Sequence, residues 1–101
     1  MKELEIKILN WANKRGILFK ENSKNQLLKS FEEMGELSSA LLKNDINKIK
    51  DSIGDVLVTL IIFASTQETN IEECLNIAWN EIKNRTGKTI DGVFIKEASH
   101  L

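Results

Sequence analysis

The sequence predicts an all-α fold, arranged as a four-helix bundle. The chain of 101 residues contains no proline and only five glycines, so few positions would interrupt a helix. Apolar residues recur at helical spacing in four segments that short polar stretches separate. Short connections between successive helices are typical of a bundle.

The first two helices are predicted from their apolar spacing and from end signals. The first spans residues 2–15, and Gly16 follows its basic end as a stop signal. The second spans residues 23–43, because Ser23 and Gln26 have the spacing of a capping box.

The third and fourth helices follow in the same way. Asn44 or Asp45 caps a third helix that reaches about Gln67, and a fourth spans residues 70–85. Residues 56–62 are rich in β-branched side chains and could form a buried strand in isolation. The longer pattern around them favours a helix.

The C-terminal segment has a different character. Residues 86–101 contain two glycines on either side of an aspartate and a short apolar run at 93–95. This composition predicts an extended tail or a small hairpin that packs on a neighbour. We assign residues 1–101 to one helical domain that includes this tail.

The apolar surface of the third helix predicts assembly. Apolar residues cover most of its circumference, which is more than one small bundle can bury. We therefore expect at least a homodimer, with a tetramer formed from two dimers as the alternative.

Charge and composition exclude several functions. With 14 basic and 15 acidic residues, the net charge is -1, which provides no strong field for nucleic acid or an anionic membrane. The longest apolar run, at 56–64, is about half of the length that a membrane-spanning helix needs. The single Cys74 cannot form an internal disulfide, so we expect a cytoplasmic protein. The single His100 argues against zinc and di-iron centres that need histidine ligands.

Two aspartates of the third helix suggest a metal site. Asp51 and Asp55 share a stripe with Val58 and Ile62, so we expect both carboxylates to be partly covered. Unpaired carboxylates near a core are costly, and a bound cation would remove that cost. Magnesium suits such a site, because it takes oxygen ligands and keeps several waters.

The acidic residues of the second helix have an ordinary alternative explanation. Glu32, Glu33 and Glu36 point roughly away from the apolar face of this helix. That apolar face contains Leu27, Phe31, Met34, Leu41 and Leu42. Glutamate is a good helix former that is rarely buried, so the three glutamates could be a solvated face of a purely structural bundle.

Two motifs resemble a known family. The run EEMGEL at 32–37, followed by IGDVL at 53–57, resembles the signature Glu-Glu-x-x-Glu, spacer, Glu-x-x-Asp of the MazG-type nucleoside triphosphate pyrophosphohydrolases. Residues 10–12 and 80–85 are also similar to the small single-domain members, so the resemblance covers most of the chain. It implies an all-α homo-oligomer that depends on Mg²⁺, with Mn²⁺ as a possible substitute. It also implies cleavage of a (d)NTP to (d)NMP and pyrophosphate.

The resemblance assigns roles to individual acids. Glu33 and Glu36 take the first pair of metal positions, and Asp55 takes the last. Glu32 matches the extra leading glutamate. We expect Glu32 to orient or deprotonate the attacking water, and with Glu33 it forms the predicted catalytic pair.

One position departs from the family pattern. Ser52 stands where the second motif has glutamate, and an acidic residue, Asp51, comes one position earlier. Asp51 is a candidate replacement ligand, because it lies one helical turn from Asp55. The alternatives are weaker metal binding, an extra water in place of the ligand, or a catalytically weakened relative that binds nucleotide or protein without hydrolysis.

The resemblance and the aromatic residues also suggest substrate contacts. Asn84 matches a family asparagine near the phosphates, whereas Asn80 stands where a lysine is common. Lys83, Arg85 or Lys88 could restore the missing charge, or could simply be solvated near a helix end. Trp11 and Phe19 are candidates to stack on a base, with core packing as the alternative. The predicted substrate-binding residues are Trp11, Asn80, Lys83, Asn84 and Lys88.

Overall fold

The structure, a computed structural model, describes residues 2–97 in two compact units divided between residues 71 and 72. Its described part is mostly helical with one small sheet, which confirms the predicted helical class. The arrangement of the helices as a four-helix bundle stays a prediction, as does the assignment of a single domain. Within the described residues, no helix combines the length and apolar character needed to cross a membrane.

The first unit contains three helices and a short turn. Helix α1 spans Lys2–Lys14 and ends just before Gly16, which has the positive φ of 70° that favours glycine. A 3₁₀ turn at Lys20–Asn22 leads into α2, which spans Ser23–Leu42, and α3 follows at Ile46–Thr66. Both α1 and α2 pack against α3.

Helices α2 and α3 form an antiparallel pair, and polar side chains make hydrogen bonds at each end of it. At one end the Ser23 hydroxyl bonds to Thr66 Oγ1 at 3.1 Å. At the other end the Asp45 side chain caps α3 by accepting a hydrogen bond from the Lys48 amide at 3.1 Å. Of the two predicted caps, Asp45 is therefore the one used, and Asn44 has a positive φ in the turn before it.

Helix α2 begins at Ser23, as predicted, but its capping differs from the prediction. The expected capping box at Ser23 and Gln26 is absent, because Ser23 is already the first helical residue and Asn22 occupies the cap position. The 3₁₀ turn leads directly into the helix, so the Ser23 hydroxyl faces the Lys20 carbonyl, to which it donates at 2.5 Å. The Asn22 side chain donates to the Ile17 carbonyl instead of capping α2.

The core of the first unit consists of small and aliphatic side chains. The buried apolar residues are Ala12, Ala40, Ile61, Ile62 and Ala64. The buried or half-buried residues of α2 are Ser23, Gln26, Ser30, Glu33, Leu37 and Ala40. The large apolar residues expected on the core side of α2, including Phe31 and Leu42, are exposed. The interpretation of the glutamates as one uniformly solvated face is therefore wrong for Glu33.

Helix α4 spans Ile71–Ile82, and all of it except Ile71 belongs to the second unit. This unit also contains a β-hairpin. The hairpin pairs β1, Gly87–Ile90, antiparallel with β2, Val93–Lys96. Asp91 and Gly92 have φ values of 50° and 79°, the backbone geometry of a tight two-residue turn. Two strands thus form within the segment predicted as a tail or hairpin, while its last residues, including His100, lie outside the described residues.

Candidate functional site

Three carboxylates converge between α2 and α3. Glu33 and Glu36 lie one turn apart on the same side of α2, and antiparallel packing brings Asp55 of α3 beside them. One carboxylate oxygen from each of the three residues lies within 4.8 Å of the other two. This carboxylate group contains the three acids that the family resemblance assigned to metal binding.

Glu33 is the most enclosed member of the carboxylate group. Only 12% of its side chain is exposed, and its Oε2 atom is buried without a hydrogen-bond partner. Burial raises the pKa of Glu33 above its usual value, and the nearby Glu36 and Asp55 carboxyls raise it further. Lys29 acts in the opposite direction, since its Nζ atom lies 3.6 Å from Glu33 Oε1.

Glu32 lies beside the carboxylate group and has a different environment. Its side chain is 69% exposed, and its Oε2 atom lies 3.3 Å from Lys29 Nζ. A hydrogen bond with Glu32, followed by the charges of Glu32 and Glu33, raises the pKa of Lys29. Glu32 is thus an accessible carboxylate next to three clustered ones.

Ser52 is fully buried, and its hydroxyl has no hydrogen-bond partner. Other buried hydroxyls of the pair bond to their own helix: Ser30 donates to the Leu27 carbonyl and Thr59 to the Val56 carbonyl. Ser52 lies one turn before Asp55 on α3.

Asp51 does not join the carboxylate group. Its side chain is 65% exposed, and its Oδ2 atom lies 3.8 Å from Lys48 Nζ. The expectation that both aspartates of α3 are partly covered is therefore wrong for Asp51, whereas Asp55 is half-buried. A role of Asp51 in metal binding stays a prediction.

The carboxylate group fits a hydrated divalent cation. Three close carboxylates repel one another, and a buried carboxylate oxygen without a partner is costly. The buried Ser52 hydroxyl, without a partner and one turn from Asp55, is a second polar group for which the chain provides no hydrogen bond. Oxygen ligands that leave space for waters are what Mg²⁺ prefers. Glu33, Glu36 and Asp55 are the residues that could hold such an ion.

A cavity of about 350 Å³ opens beside the carboxylate group toward the turn between α2 and α3. It is lined by Glu36, Ser39, Ala40, Lys43, Asp45 and Lys48. The two lysines of this cavity were not among the residues predicted from the sequence. Lys43 lies about two helical turns after Glu36, and Lys48 lies about two helical turns before Asp55. Because this spacing returns to the same face of a helix, it could have indicated both lysines.

The aromatic candidates of the first unit lie at its surface. Trp11 and Phe19 are both exposed, which argues against core packing within this chain. The Arg15 guanidinium lies over the Trp11 ring, 4.6 Å from its centroid, in the geometry of a cation–π contact. One face of the Trp11 ring is thus covered by Arg15.

The remaining predicted substrate residues belong to the second unit. Lys83 Nζ donates a hydrogen bond to Asn80 Oδ1 at 3.1 Å at the end of α4. Asn84 lies in the turn that follows α4, and Lys88 belongs to β1. Arg85 forms an ion pair with Glu81 at 3.7 Å. All of these residues are exposed, and their roles stay predictions.

Comparisons with known proteins identify the family. Among curated proteins, the chain is 39% identical over 64 residues to the "Uncharacterized 18.2 kDa protein in rep-hol intergenic region" of Haemophilus phage HP1 (strain HP1c1). That match covers 63% of this chain and 39% of the phage protein, so the chain spans well under two thirds of that relative. No solved structure matches the chain. The profile of the MazG nucleotide pyrophosphohydrolase domain matches residues 21–89, which include the whole carboxylate group. The chain therefore belongs to the MazG nucleotide pyrophosphohydrolase family.

Proposed function

We propose that this protein is a magnesium-dependent nucleoside triphosphate pyrophosphohydrolase that cleaves a (d)NTP to (d)NMP and pyrophosphate. The observation that carries the proposal is the carboxylate group of Glu33, Glu36 and Asp55 in a chain of the MazG family. The three residues come from two helices that pack together, which favours a fixed set of ligands.

The carboxylate group would hold the metal. We propose that Glu33, Glu36 and Asp55 provide ligand oxygens and that Asp51 assists from the surface of α3, with Mn²⁺ able to substitute for Mg²⁺. When bound, the ion supplies positive charge against the phosphate oxygens and makes a water a better nucleophile. The enclosed position of Glu33 limits the competition of bulk water for the site.

Glu32 is proposed to act on the attacking water. Its carboxylate is accessible and adjacent to Glu33, so it can accept a proton from a water that approaches the phosphate chain. Glu33 is the other member of the proposed catalytic pair, in which it would act as a ligand of the metal. The products are a nucleoside monophosphate and pyrophosphate.

Several residues are proposed to bind the rest of the substrate. The cavity beside Glu36 provides room for phosphate groups, and Lys43 and Lys48 provide positive charge. We propose phosphate contacts by Asn84, which matches the family asparagine, and by Asn80, Lys83 and Lys88, of which the two lysines would supply positive charge. Trp11 is proposed to stack on the base with the ring face that Arg15 leaves free.

Exposed apolar surface supports assembly into a homo-oligomer, a dimer or a tetramer. Large apolar side chains are exposed on both units, including Phe31, Met34, Leu75, Ile77, Trp79 and Phe94. A second copy of the chain is the simplest cover for so many exposed apolar side chains. We propose a cytoplasmic protein with no nucleic-acid or membrane partner.

A second candidate function is binding without hydrolysis. The observation that favours it is Ser52, a neutral buried residue at the family's glutamate position. The variant Ser52→Glu separates the two candidates. If the wild-type protein is inactive and Ser52→Glu hydrolyses nucleotide, the protein is a binding relative. If the wild type already turns over, hydrolysis does not need a carboxylate at this position.

The experiment that tests hydrolysis is a panel of nucleoside and deoxynucleoside triphosphates, incubated with the protein and Mg²⁺ or Mn²⁺. Chromatography of the products should show monophosphate and pyrophosphate, and Glu36→Ala should abolish both. Glu81→Ala is a matched control, because this exposed glutamate lies in the second unit. No turnover with any nucleotide and either metal would contradict the proposal.

A further inference from the structure

Lys29 is the cation that the structure places at the carboxylate group. Its ammonium lies between two carboxylates, 3.3 Å from Glu32 and 3.6 Å from Glu33. Among the described residues, Lys29 is the ion-pair partner of both members of the predicted catalytic pair. Neither the family assignment nor the predicted substrate contacts include Lys29.

An ordinary helix-surface ion pair does not fully describe Lys29. Lys29 and Glu32 form an exposed i, i+3 pair, an arrangement that contributes little to stability. The contact with Glu33 is different, because that carboxylate is largely covered, retains a buried oxygen without a partner, and lies beside two further carboxylates. Lys29 therefore supplies positive charge to a site with an excess of negative charge.

A metal ion and Lys29 would compete for Glu33. Both carry positive charge, and the carboxylate oxygen nearest Lys29 belongs to a residue that we propose as a metal ligand. The Lys29 side chain is 54% exposed and has a flexible four-carbon stem, so its ammonium is free to turn to another anion. The anion that arrives with the metal is the phosphate chain of the substrate.

We propose that Lys29 is a phosphate-binding residue: its ammonium pairs with Glu33 in the metal-free protein and contacts a substrate phosphate oxygen in the loaded site. The inference rests on the proposed function and adds a residue to it. A lysine ammonium beside the metal and the phosphate chain would act as a point charge. Such a charge suits a triphosphate, because one divalent ion neutralises only part of its negative charge.

The inference predicts that loss of Lys29 weakens nucleotide binding without weakening metal binding. In Lys29→Met the cation that competes for Glu33 is removed, so Mn²⁺ alone should bind at least as tightly as to the wild type. An α,β-methylene nucleoside triphosphate with Mg²⁺ should bind roughly tenfold more weakly, because one charge-assisted hydrogen bond is lost. Lys29→Arg should retain most of the nucleotide affinity.

Isothermal titration calorimetry with these two probes tests the inference, and thermal melting checks that each variant is folded. Lys24→Met is the matched control: it removes the same charge from an exposed residue of the same helix and should leave both affinities unchanged. Wild-type nucleotide affinity in Lys29→Met would overturn the role of Lys29 alone. A wild-type protein that binds neither Mn²⁺ nor nucleotide would overturn the proposed function and this inference together.

Discussion

Helices α3 and α4 are both rich in apolar residues, yet they differ in burial. Helix α3 buries six residues: Ser52, Thr59, Ile61, Ile62, Ala64 and Thr66. Helix α4 buries none, although it contains Leu75, Ile77 and Trp79. The packing of α3 fixes Asp55 beside the glutamates of α2, so the proposed metal site is complete within one chain. Within the described residues, the apolar side chains of α4 have no comparable cover. We propose that a second copy of the chain covers them.

The largest expected effect is a loss of turnover that is much greater for Asp55 than for Asp51, the two aspartates predicted as metal ligands on α3. Asp55→Asn should lower turnover by about 1000-fold or more, because it removes a carboxylate from the metal site and raises the barrier by about 4 kcal/mol. Asp51→Asn should lower turnover by about tenfold, as expected for a residue that acts from outside the ligand set. Steady-state kinetics with a metal titration measure both. Equal losses would place Asp51 and Asp55 in the same role.

Substitution of Glu32 tests whether this accessible carboxylate, beside the carboxylate group of α2 and α3, acts as a general base. Glu32→Gln should reduce kcat by about 100-fold or more while metal affinity stays near that of the wild type, because a general base is lost and the ligands remain. Glu21→Gln, a change of the same type at an exposed residue before α2, is the control. Full turnover in Glu32→Gln would remove this residue from the catalytic pair.

Substitution on α4 should break assembly and leave the α2–α3 pair folded. Ile77→Asp places a charge among exposed apolar residues and should shift the mass measured by light scattering from an oligomer to a monomer of 11.5 kDa. The control is Glu73→Ala on the same helix, which retains the apolar side chains. A wild-type protein that is already monomeric at micromolar concentration would show that α4 needs no partner.

The smallest expected effect is a pH dependence from Glu33. Because its pKa is raised in the folded protein, the folded state binds a proton more tightly than the unfolded chain. Without metal, this group's contribution to stability is therefore greatest in acid. It is lost as pH rises from the ordinary glutamate pKa through the folded value.

Metal binding needs the deprotonated carboxylate, so the increase in Tm caused by Mg²⁺ should grow by a few degrees over the same pH window. Melting curves with and without Mg²⁺ from about pH 4 to about pH 8 measure this difference. Glu33→Gln should remove most of the dependence. An increase in Tm that is the same at every pH would contradict the assignment of Glu33 as a ligand.

Local signals in the sequence predicted the helices well and their packing less well. The cap at Asp45 and the stop at Gly16 depend on neighbouring backbone groups, so short-range patterns were sufficient. The capping box at Ser23 was wrong because a 3₁₀ turn, which the pattern did not reveal, supplies the cap position. Periodicity also misplaced the inner face of α2, since it groups apolar residues without saying which chain covers them.

For the candidate site, the identity of the clustered acids was also predicted better than the burial of individual side chains. The family resemblance selected Glu33, Glu36 and Asp55, and the structure brings these three together. Spacing alone suggested equal cover for Asp51 and Asp55, although an offset of one turn is enough to leave Asp51 paired with Lys48 at the surface. The pairing of Lys29 with Glu33 depends on burial of the glutamate, which the sequence pattern did not predict.

The most direct test of the central claim is the position of the metal. An anomalous difference map from crystals grown with Mn²⁺ should show a peak between α2 and α3, in contact with carboxylate oxygens of Glu33, Glu36 and Asp55. That result would establish the carboxylate group as the metal site of one chain. A map with no peak there, or a peak bound by other residues, would contradict the account.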